Sequence, residues 1–277
     1  MSASNVQHYW DHYGEDPHYY DTEIASSIDE DIHSTIKQNL MMEASSLALA
    51  RKEQSITVCD YGCGPGKWLS KIDRAFAHVI QQTTIYALDV SQQLVGLASK
   101  ALPTAHVQQV NLENLSDIQQ AVPSVVDFGI CANVLIAAER STRRRILSNI
   151  QNTTSKGSIV IFVVPSLESA LYCEWRWLQD GPPIVDTDGD EIPHKTGKDA
   201  SNILNGCLER DGVRTKHYLR EEFVCVAAKF DFSIKKICKA SYNWSMEFGD
   251  EEDVIPEHLS QSNAEGPWDW CFVAERM

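Results

Sequence analysis

Three glycines at alternate positions follow an aspartate and precede a helical pattern. Asp60 ends the apolar run 56–60, and Gly62, Gly64 and Gly66 come directly after it. A glycine-rich turn between a strand and a helix brings bare backbone close to a ligand, because glycine has no Cβ and tolerates positive φ. The spacing G-x-G-x-G differs from the G-x-G-x-x-G of dinucleotide-binding loops. The pattern predicts a ligand-binding loop at this point.

A second acid stands at the end of the next predicted strand. Asp89 ends the strand 84–89, where a carboxylate can accept both hydroxyls of a ribose. The alternative is a capping role for the helix 91–101, which Ser91 could share. Nucleotide-linked oxidoreductases place an acid similarly, so Asp89 alone does not separate the two classes of protein.

Strands and helices alternate along the first two thirds of the chain. Strands are predicted at 56–60, 84–89, 106–110, 125–131 and 158–164, and helices at 67–80, 91–101 and 140–152. Two further strands are predicted at 232–242 and 269–275. Such alternation predicts an α/β fold whose mostly parallel sheet is covered by helices on both faces. Ligand-binding loops then gather at the carboxyl ends of the strands.

The loop 60–66 together with Asp89 resembles the class I S-adenosylmethionine-dependent methyltransferases, whose loop has the pattern D-x-G-x-G-x-G. The resemblance implies a Rossmann-like, seven-stranded, mostly parallel sheet of order 3-2-1-4-5-7-6 with an antiparallel last strand. It also implies helices on both faces, an N-terminal helical lid and S-adenosylmethionine as cofactor. The whole chain, 1–277, is then one methyltransferase domain. Its expected parts are a lid (1–52), a cofactor-binding core (53–165), an insertion over the active site (166–215) and C-terminal strands (216–277).

The same resemblance assigns expected roles to residues at the strand ends. Expected cofactor-binding residues are Asp60, Gly62, Cys63, Gly64, Gly66, Asp89, Val90, Asn111, Leu112, Cys131 and Ala132. Asn133 and Val134 are expected to align the reacting groups, with Tyr13 and Tyr19 as further candidates; no catalytic base is identified. A plain turn role is the alternative for Asn111.

Substrate contacts are expected from two aromatic segments, namely Tyr9, Trp10 and Tyr13 near the start and Trp175 with Arg176 in the insertion. Aromatic faces attract a sulfonium cation, and Arg176 could pair with a carboxylate of the acceptor. The alternative is ordinary packing of aromatic helices.

Composition limits the class of partner. The chain has 277 residues, 43% of them hydrophobic, and a formal net charge of −15, which repels phosphate backbones and disfavours nucleic acid. No secretory or membrane-spanning segment is apparent, and eight dispersed cysteines favour a reducing, cytoplasmic location. No C-x-x-C pair occurs, so no metal site is predicted.

The run Arg140, Arg143, Arg144 and Arg145 indicates an exposed helix face, with a partner site as the alternative.

The predicted function is methyl transfer from S-adenosylmethionine to a small molecule by in-line displacement. A protein-directed methyltransferase, a non-catalytic methyltransferase-like subunit and an NAD(P)-linked oxidoreductase remain as alternatives. The acceptor atom and the oligomeric state stay open.

Overall fold

A computed structural model describes residues 34–51, 55–77, 79–80, 82–180, 200–210, 213–244 and 266–277. Its strands are β1 (Ser55–Tyr61), β2 (Gln82–Asp89), β3 (His106–Gln109), β4 (Val126–Ala132), β5 (Thr154–Pro165), β6 (Cys207–Arg210), β7 (Val213–Lys216), β8 (Phe232–Ser241) and β9 (Trp268–Arg276). Its helices are α1 (Thr35–Arg51), α2 (Leu69–Ala77), α3 (Gln92–Ala101), α4 (Leu115–Ala121), α5 (Arg140–Thr153), α6 (Leu167–Asp180), α7 (Ala200–Asn205) and α8 (Arg220–Ala228).

Seven strands form one twisted sheet in the order β3-β2-β1-β4-β5-β9-β8. Neighbours among β1 to β5 run parallel, whereas β9 is antiparallel to both β5 and β8. Since β8 and β9 are the sixth and seventh strands of this sheet, the order 3-2-1-4-5-7-6 is confirmed. Because β9 is antiparallel to β5, its first residues lie at the carboxyl end of β5, where Asp269 pairs with Pro165.

Two apolar clusters cover the two faces of the sheet. In β5, Val160 and Phe162 belong to one cluster, and the alternate residues Ile161 and Val163 belong to the other. Successive side chains of a strand point to opposite faces, so a strand that is apolar at every position is buried on both sides. The continuous apolar run of the sequence therefore becomes a central strand.

Helix α1 covers part of the second cluster. Its buried residues Ile36, Leu40, Ala44 and Leu47 recur every three or four positions, which places them on one face of the helix. The helix contacts α2, β8 and β9. The rest of the predicted lid, residues 1–33, lies outside the described residues, and the predicted division into lid, core, insertion and C-terminal strands stays a prediction.

The described part of the predicted insertion contains two helices, α6 and α7, and a hairpin. Helix α6 follows β5 directly, and β6 pairs antiparallel with β7 in a separate two-stranded sheet. Residues 181–199 lie outside the described residues. The sequence patterns did not indicate α4 or α8, which have seven and nine residues. None of the helices in the described ranges is long and apolar enough to cross a membrane.

Candidate active site

The glycine loop after β1 owes its spacing to backbone conformation and to packing. Gly62, Gly64 and Gly66 have φ values of +80°, +52° and +92°, which other residues rarely adopt. A Cβ on Gly62 would lie 2.3 Å from Val134 Cγ2, and one on Gly66 would lie 2.9 Å from Ala98 Cα in α3. Side chains at these two positions would therefore push the loop away from its neighbours.

The end of β2 holds the loop in place. The carbonyl oxygen of Leu88 accepts from the N–H groups of Gly62 (2.7 Å) and Cys63 (2.9 Å). The Oδ2 atom of Asp89 accepts from Gly64 N–H at 2.9 Å, and its Oδ1 atom accepts from Ser91 N–H at 2.9 Å. Asp89, the residue predicted to bind the ribose, is thus hydrogen-bonded to the glycine loop.

Helix α3 is capped by Ser91 and not by Asp89. The hydroxyl oxygen of Ser91 accepts from Leu94 N–H, and Ser91 has the extended backbone of an N-cap residue. The carboxylate of Asp89 is buried at the mouth of the loop, with 8% of the residue exposed. The capping alternative is therefore wrong for Asp89 and right for Ser91.

Asp60 is buried beneath the loop. Only 1% of the residue is exposed, and neither carboxylate oxygen has a hydrogen-bond partner among the described residues. Burial, followed by the nearby charge of Asp89, raises the pKa of Asp60 from 3.8 to about 8. Burial likewise raises the pKa of the Cys63 and Cys131 thiols beside it, so these remain neutral. The free protein thus holds a buried and largely protonated carboxyl group beneath the loop.

Beyond β3, the chain turns at the same edge of the sheet. The Oδ1 atom of Asn111 accepts from Glu113 N–H at 2.9 Å, which is the local turn contact considered as its alternative role. Leu112 is buried, and its carbonyl oxygen accepts from Asn149 Nδ2 at 2.8 Å. The carbonyl oxygen of Val90 accepts from a glutamine side chain of β3 at 3.0 Å. These residues lie near Asp89, because Val110 N–H donates to its carbonyl oxygen at 2.7 Å.

The end of β4 forms the opposite wall of the loop. Cys131 and Ala132 are buried within the strand, and Val134 packs against Gly62. Asn133 adopts a left-handed backbone with φ +54°, and its N–H donates to a β5 carbonyl at 2.9 Å. Asparagine tolerates this conformation better than most residues do. The bend turns the chain out of the sheet directly beside the glycine loop.

Asn133 also faces a carboxylate from a distant part of the sequence. Its Nδ2 atom donates to Asp269 Oδ2 at 3.4 Å, while its Oδ1 atom is buried without a partner among the described residues. Asp269 is itself buried. The antiparallel β9 makes this meeting possible, since it brings its first residues to the carboxyl edge of β4 and β5.

Aromatic rings gather around the same end of β9. Tyr172 of α6 lies 5.8 Å from both Trp244 and Trp268 and 6.3 Å from Trp175, between ring centroids. We refer to these four residues as the aromatic wall. Lys239 Nζ lies 3.6 Å from the Trp268 centroid, a cation–π contact. The Trp268 indole N–H is buried without a partner among the described residues.

Helix α6 carries Trp175 and Arg176 and is fixed at its start. Trp175 is exposed and Arg176 is half-buried. The carboxylate of Glu168 accepts from Trp270 Nε1 at 3.0 Å and from Arg220 N–H at 2.9 Å. These bonds connect the start of α6 to β9 and α8, and they thereby fix the position of the helix that carries Tyr172 and Trp175.

The hairpin supports the segment after β4. We call residues 133–138 the floor segment. Lys216 N–H donates to Ile136 O at 2.8 Å, and Tyr218 Oη donates to Leu135 O at 2.9 Å. The Lys216 ammonium group is buried and donates to the carboxylate of Glu222 at 2.7 Å. A lysine interior to the fold thus braces the floor segment against α8.

Comparison with known proteins agrees with this geometry. Residues 58–157 match the model of a methyltransferase domain family. That range spans β1 to the start of β5, including the glycine loop and Asp89. The chain thus contains a methyltransferase domain, and its sheet has the strand order that the resemblance implied. A search of curated protein sequences finds no significant match.

Solved structures share the fold of this methyltransferase at low sequence identity. A methyltransferase from Anabaena variabilis is 10% identical, with a TM-score of 0.60 and coverage of 100% of this chain and 96% of its own. Magnesium protoporphyrin IX methyltransferase (ChlM) from Synechocystis PCC 6803, with bound SAH, is 15% identical, with a TM-score of 0.54 and 99% coverage of both chains. The DhpI–SAH complex is 13% identical, with a TM-score of 0.52 and coverage of 99% of this chain and 96% of its own.

Some predicted site residues lie outside the described residues. Other residues lie at the site but were not predicted from the sequence. Tyr9, Trp10, Tyr13 and Tyr19 belong to the first group. Asp269, Tyr172, Trp244 and Trp268 belong to the second. Asp269 stands within a predicted strand, and only the pairing of that strand reveals its place at the site. Among the described parts of the methyltransferase, no three His, Cys, Asp or Glu side chains are grouped as metal ligands.

Proposed function

We propose that this methyltransferase transfers a methyl group from S-adenosylmethionine to a small-molecule acceptor. S-adenosylmethionine supplies an electrophilic methyl group, whose carbon bonds to an acceptor lone pair while the carbon–sulfur electron pair passes to sulfur. Because the departing sulfur becomes neutral, the main tasks of the protein are to align the reactants and to exclude water.

The observation that carries this proposal is the buried carboxylate of Asp60 beneath the glycine loop. Burial keeps this carboxyl group largely protonated in the free protein, and a cationic ligand group would stabilise its ionised form through a charge-assisted hydrogen bond. The α-ammonium group of a methionine moiety is such a cation. A dinucleotide would instead bring its phosphates to the loop, where their negative charge would oppose ionisation of Asp60. The site therefore favours the sulfonium cofactor over NAD(P).

Residues at the ends of β2 and β3 suit the adenosine half. Asp89 already accepts two N–H groups of the protein, and a carboxylate has about four acceptor positions. It can therefore hold the ribose hydroxyls without releasing the loop. Val90, Asn111 and Leu112 then border the adenine ring. The Asn111 amide, oriented by its turn contact with Glu113, presents its NH₂ donor group to the base.

The acceptor site is proposed between the floor segment and the aromatic wall. Asn133 and Val134 position the acceptor atom, and Asp269 orients the Asn133 amide. The aromatic wall excludes water and stacks on a planar or apolar acceptor body. We assign Arg176, which is half-buried in the same helix as Trp175, to pair with an acidic group of that acceptor. Acceptor contacts drawn from several elements in this way suit a small molecule better than a folded protein surface.

Calorimetric titration with S-adenosylhomocysteine tests the cofactor half, with NAD as the competing ligand. We expect micromolar binding that Asp60→Asn weakens by about tenfold or more. Asp127→Asn is the matched control, because Asp127 starts β4 at the other edge of the sheet and accepts from Thr57 N–H at 2.9 Å. Uptake of NAD without S-adenosylhomocysteine, or equal effects of the two variants, would overturn the proposal.

Methyl-labelled S-adenosylmethionine tests the acceptor class. The protein is incubated with cell extract that has been separated by ultrafiltration into metabolites and macromolecules. Label incorporated in the metabolite fraction supports a small-molecule acceptor. Label in polypeptides would identify a protein-directed enzyme, and cofactor binding without any labelled product would identify a non-catalytic subunit.

A further inference from the structure

A cavity of about 490 Å³ lies between α5, α8 and the β6–β7 hairpin. Five cationic side chains line it: Arg140, Arg143 and Arg144 from α5, Arg214 from β7 and Lys229 just after α8. None of the expected cofactor-binding or substrate-binding residues lines this cavity. The cavity is therefore distinct from the cofactor site, although Ala138 at the end of the floor segment also borders it.

The cavity is lined mainly by positive charge, whereas the chain as a whole is negatively charged. The whole protein carries a formal net charge of −15, yet the cavity has a single acidic lining residue, Glu222. That carboxylate is already engaged by the buried Lys216 ammonium group at 2.7 Å. Arg140, Arg144, Arg214 and Lys229 are exposed, so water screens part of the repulsion among the five cations; a bound anion would relieve the remainder.

Several of these cations are held in position. The Arg143 guanidinium group donates to the carbonyl oxygens of Ala137 and Ala138, the latter at 2.7 Å. The Arg144 guanidinium group lies 5.8 Å from the Phe230 ring centroid, and Arg214 donates to Asn202 Oδ1 at 3.0 Å. Positioned donors lose less conformational entropy when a ligand binds.

The beginning of α5 adds to the positive potential. The first turn of α5 contains no acidic residue, and Arg140, Arg143 and Arg144 stand close to this helix end. The N-terminus of a helix carries partial positive charge, so cations there are unfavourable and anions favourable. The acidic Glu139 precedes the helix but does not line the cavity.

We propose that this cavity binds a small anionic molecule bearing phosphate or carboxylate groups, at a site separate from that of methyl transfer. Its volume falls in the range of small-ligand pockets. Leu147, Val226 and Phe230 line the same cavity and provide apolar contact for the body of the ligand. A nucleic acid is disfavoured, because the acidic remainder of the surface repels a long polyanion.

Calorimetry of the full chain with pyrophosphate and with citrate tests the site. We expect one of the two to bind with a Kd below about 1 mM, and the double variant Arg144→Gln/Arg214→Gln to weaken it about tenfold or more. Tighter pyrophosphate binding assigns a phosphate ligand, and tighter citrate binding assigns a carboxylate ligand. Arg143 is left intact because it holds the floor segment.

Arg145→Gln is the matched control. Arg145 belongs to the same helix but pairs with Glu113 and does not line the cavity. Its loss should leave the anion affinity within about twofold. Absence of binding by both probes, or an equal loss in the control variant, would show that only diffuse charge is present and would overturn the proposal.

Thiol chemistry gives a second readout. Cys225 lines the cavity and is the exposed one among the eight cysteines. The bound anion should slow alkylation of Cys225 in the parent protein and not in the double variant. S-adenosylhomocysteine binding by that variant confirms that it is folded. Alkylation of the parent protein at an unchanged rate in saturating pyrophosphate and citrate would refute the site.

Discussion

Binding of S-adenosylhomocysteine should release a proton from Asp60. Burial holds the pKa of this carboxyl group at about 8, so the free protein carries it almost fully protonated at pH 6. An ion pair with the ligand ammonium group requires the ionised form. Between pH 7 and pH 6 the affinity should therefore fall by about ninefold, close to the limit of tenfold per pH unit for one coupled proton.

The assay is calorimetry at pH 6 and pH 7 in buffers with different ionisation enthalpies. The dependence of the observed enthalpy on the buffer gives the number of protons exchanged. We expect about one proton released per ligand at pH 6 and about 0.9 at pH 7. In Asp60→Asn this release should disappear, while Asp127→Asn should keep it.

A pH-independent Kd, with fewer than about 0.2 protons released at pH 6.5, would refute the reasoning. Binding would then leave the protonation of Asp60 unchanged, and the carboxylate would not be the partner of the ligand cation. The assignment of the loop to the methionine moiety would have to be withdrawn, even if the ligand bound tightly.

Three other outcomes follow from the structure. The free protein should lose stability as pH rises from 4 to 8, because the folded state retains the Asp60 proton that the unfolded chain releases. Asp60 alone should lower the free energy of unfolding by about 1.4 kcal/mol per pH unit. Urea unfolding at several pH values should show that this contribution is absent in Asp60→Asn. Gly62→Ala should destabilise the fold by about 1–3 kcal/mol, and combination with Val134→Ala should recover part of this by removing the 2.3 Å contact. Lys216→Met should cost about 2–3 kcal/mol, as measured by urea unfolding, because it removes the ion pair with Glu222 and the hydrogen bond to Asn205 O; no change in stability would show that the buried lysine does not brace the hairpin.

The local features of the cofactor half could be predicted from sequence because they depend on neighbours in the chain. The glycine loop directly follows Asp60, Asp89 ends the next strand, and each helix or strand shows its own apolar period. Their positions follow from backbone geometry and from the period of apolar residues. The seven-stranded order followed from the family resemblance and is confirmed.

The acceptor side could not be predicted in this way. Asp269 meets Asn133 across 136 positions of the chain, and only the insertion of β9 between β5 and β8 brings them together. Lys216 would be expected at the surface from its residue type, yet it is 2% exposed because its ammonium group finds a carboxylate. The arginine run of α5 was expected to form an exposed helix face, and Arg140, Arg144 and Arg145 are exposed. That three members of the run also border a cavity could not be predicted, because the cavity depends on α8 and the hairpin.

The β6–β7 hairpin offers a route to new ligand specificity in the arginine-lined cavity. Its links to the floor segment are largely main-chain bonds, such as Lys216 N–H to Ile136 O and the bridge between Ala137 and Thr215. Such bonds tolerate any side chain except proline at the donor positions. Outward positions such as Glu209 and Arg214 can therefore be randomised in a library while the glycine loop and its acids stay untouched. In evolution or in the laboratory, the anion cavity can therefore acquire a new ligand without any change to the residues that bind the methyl donor.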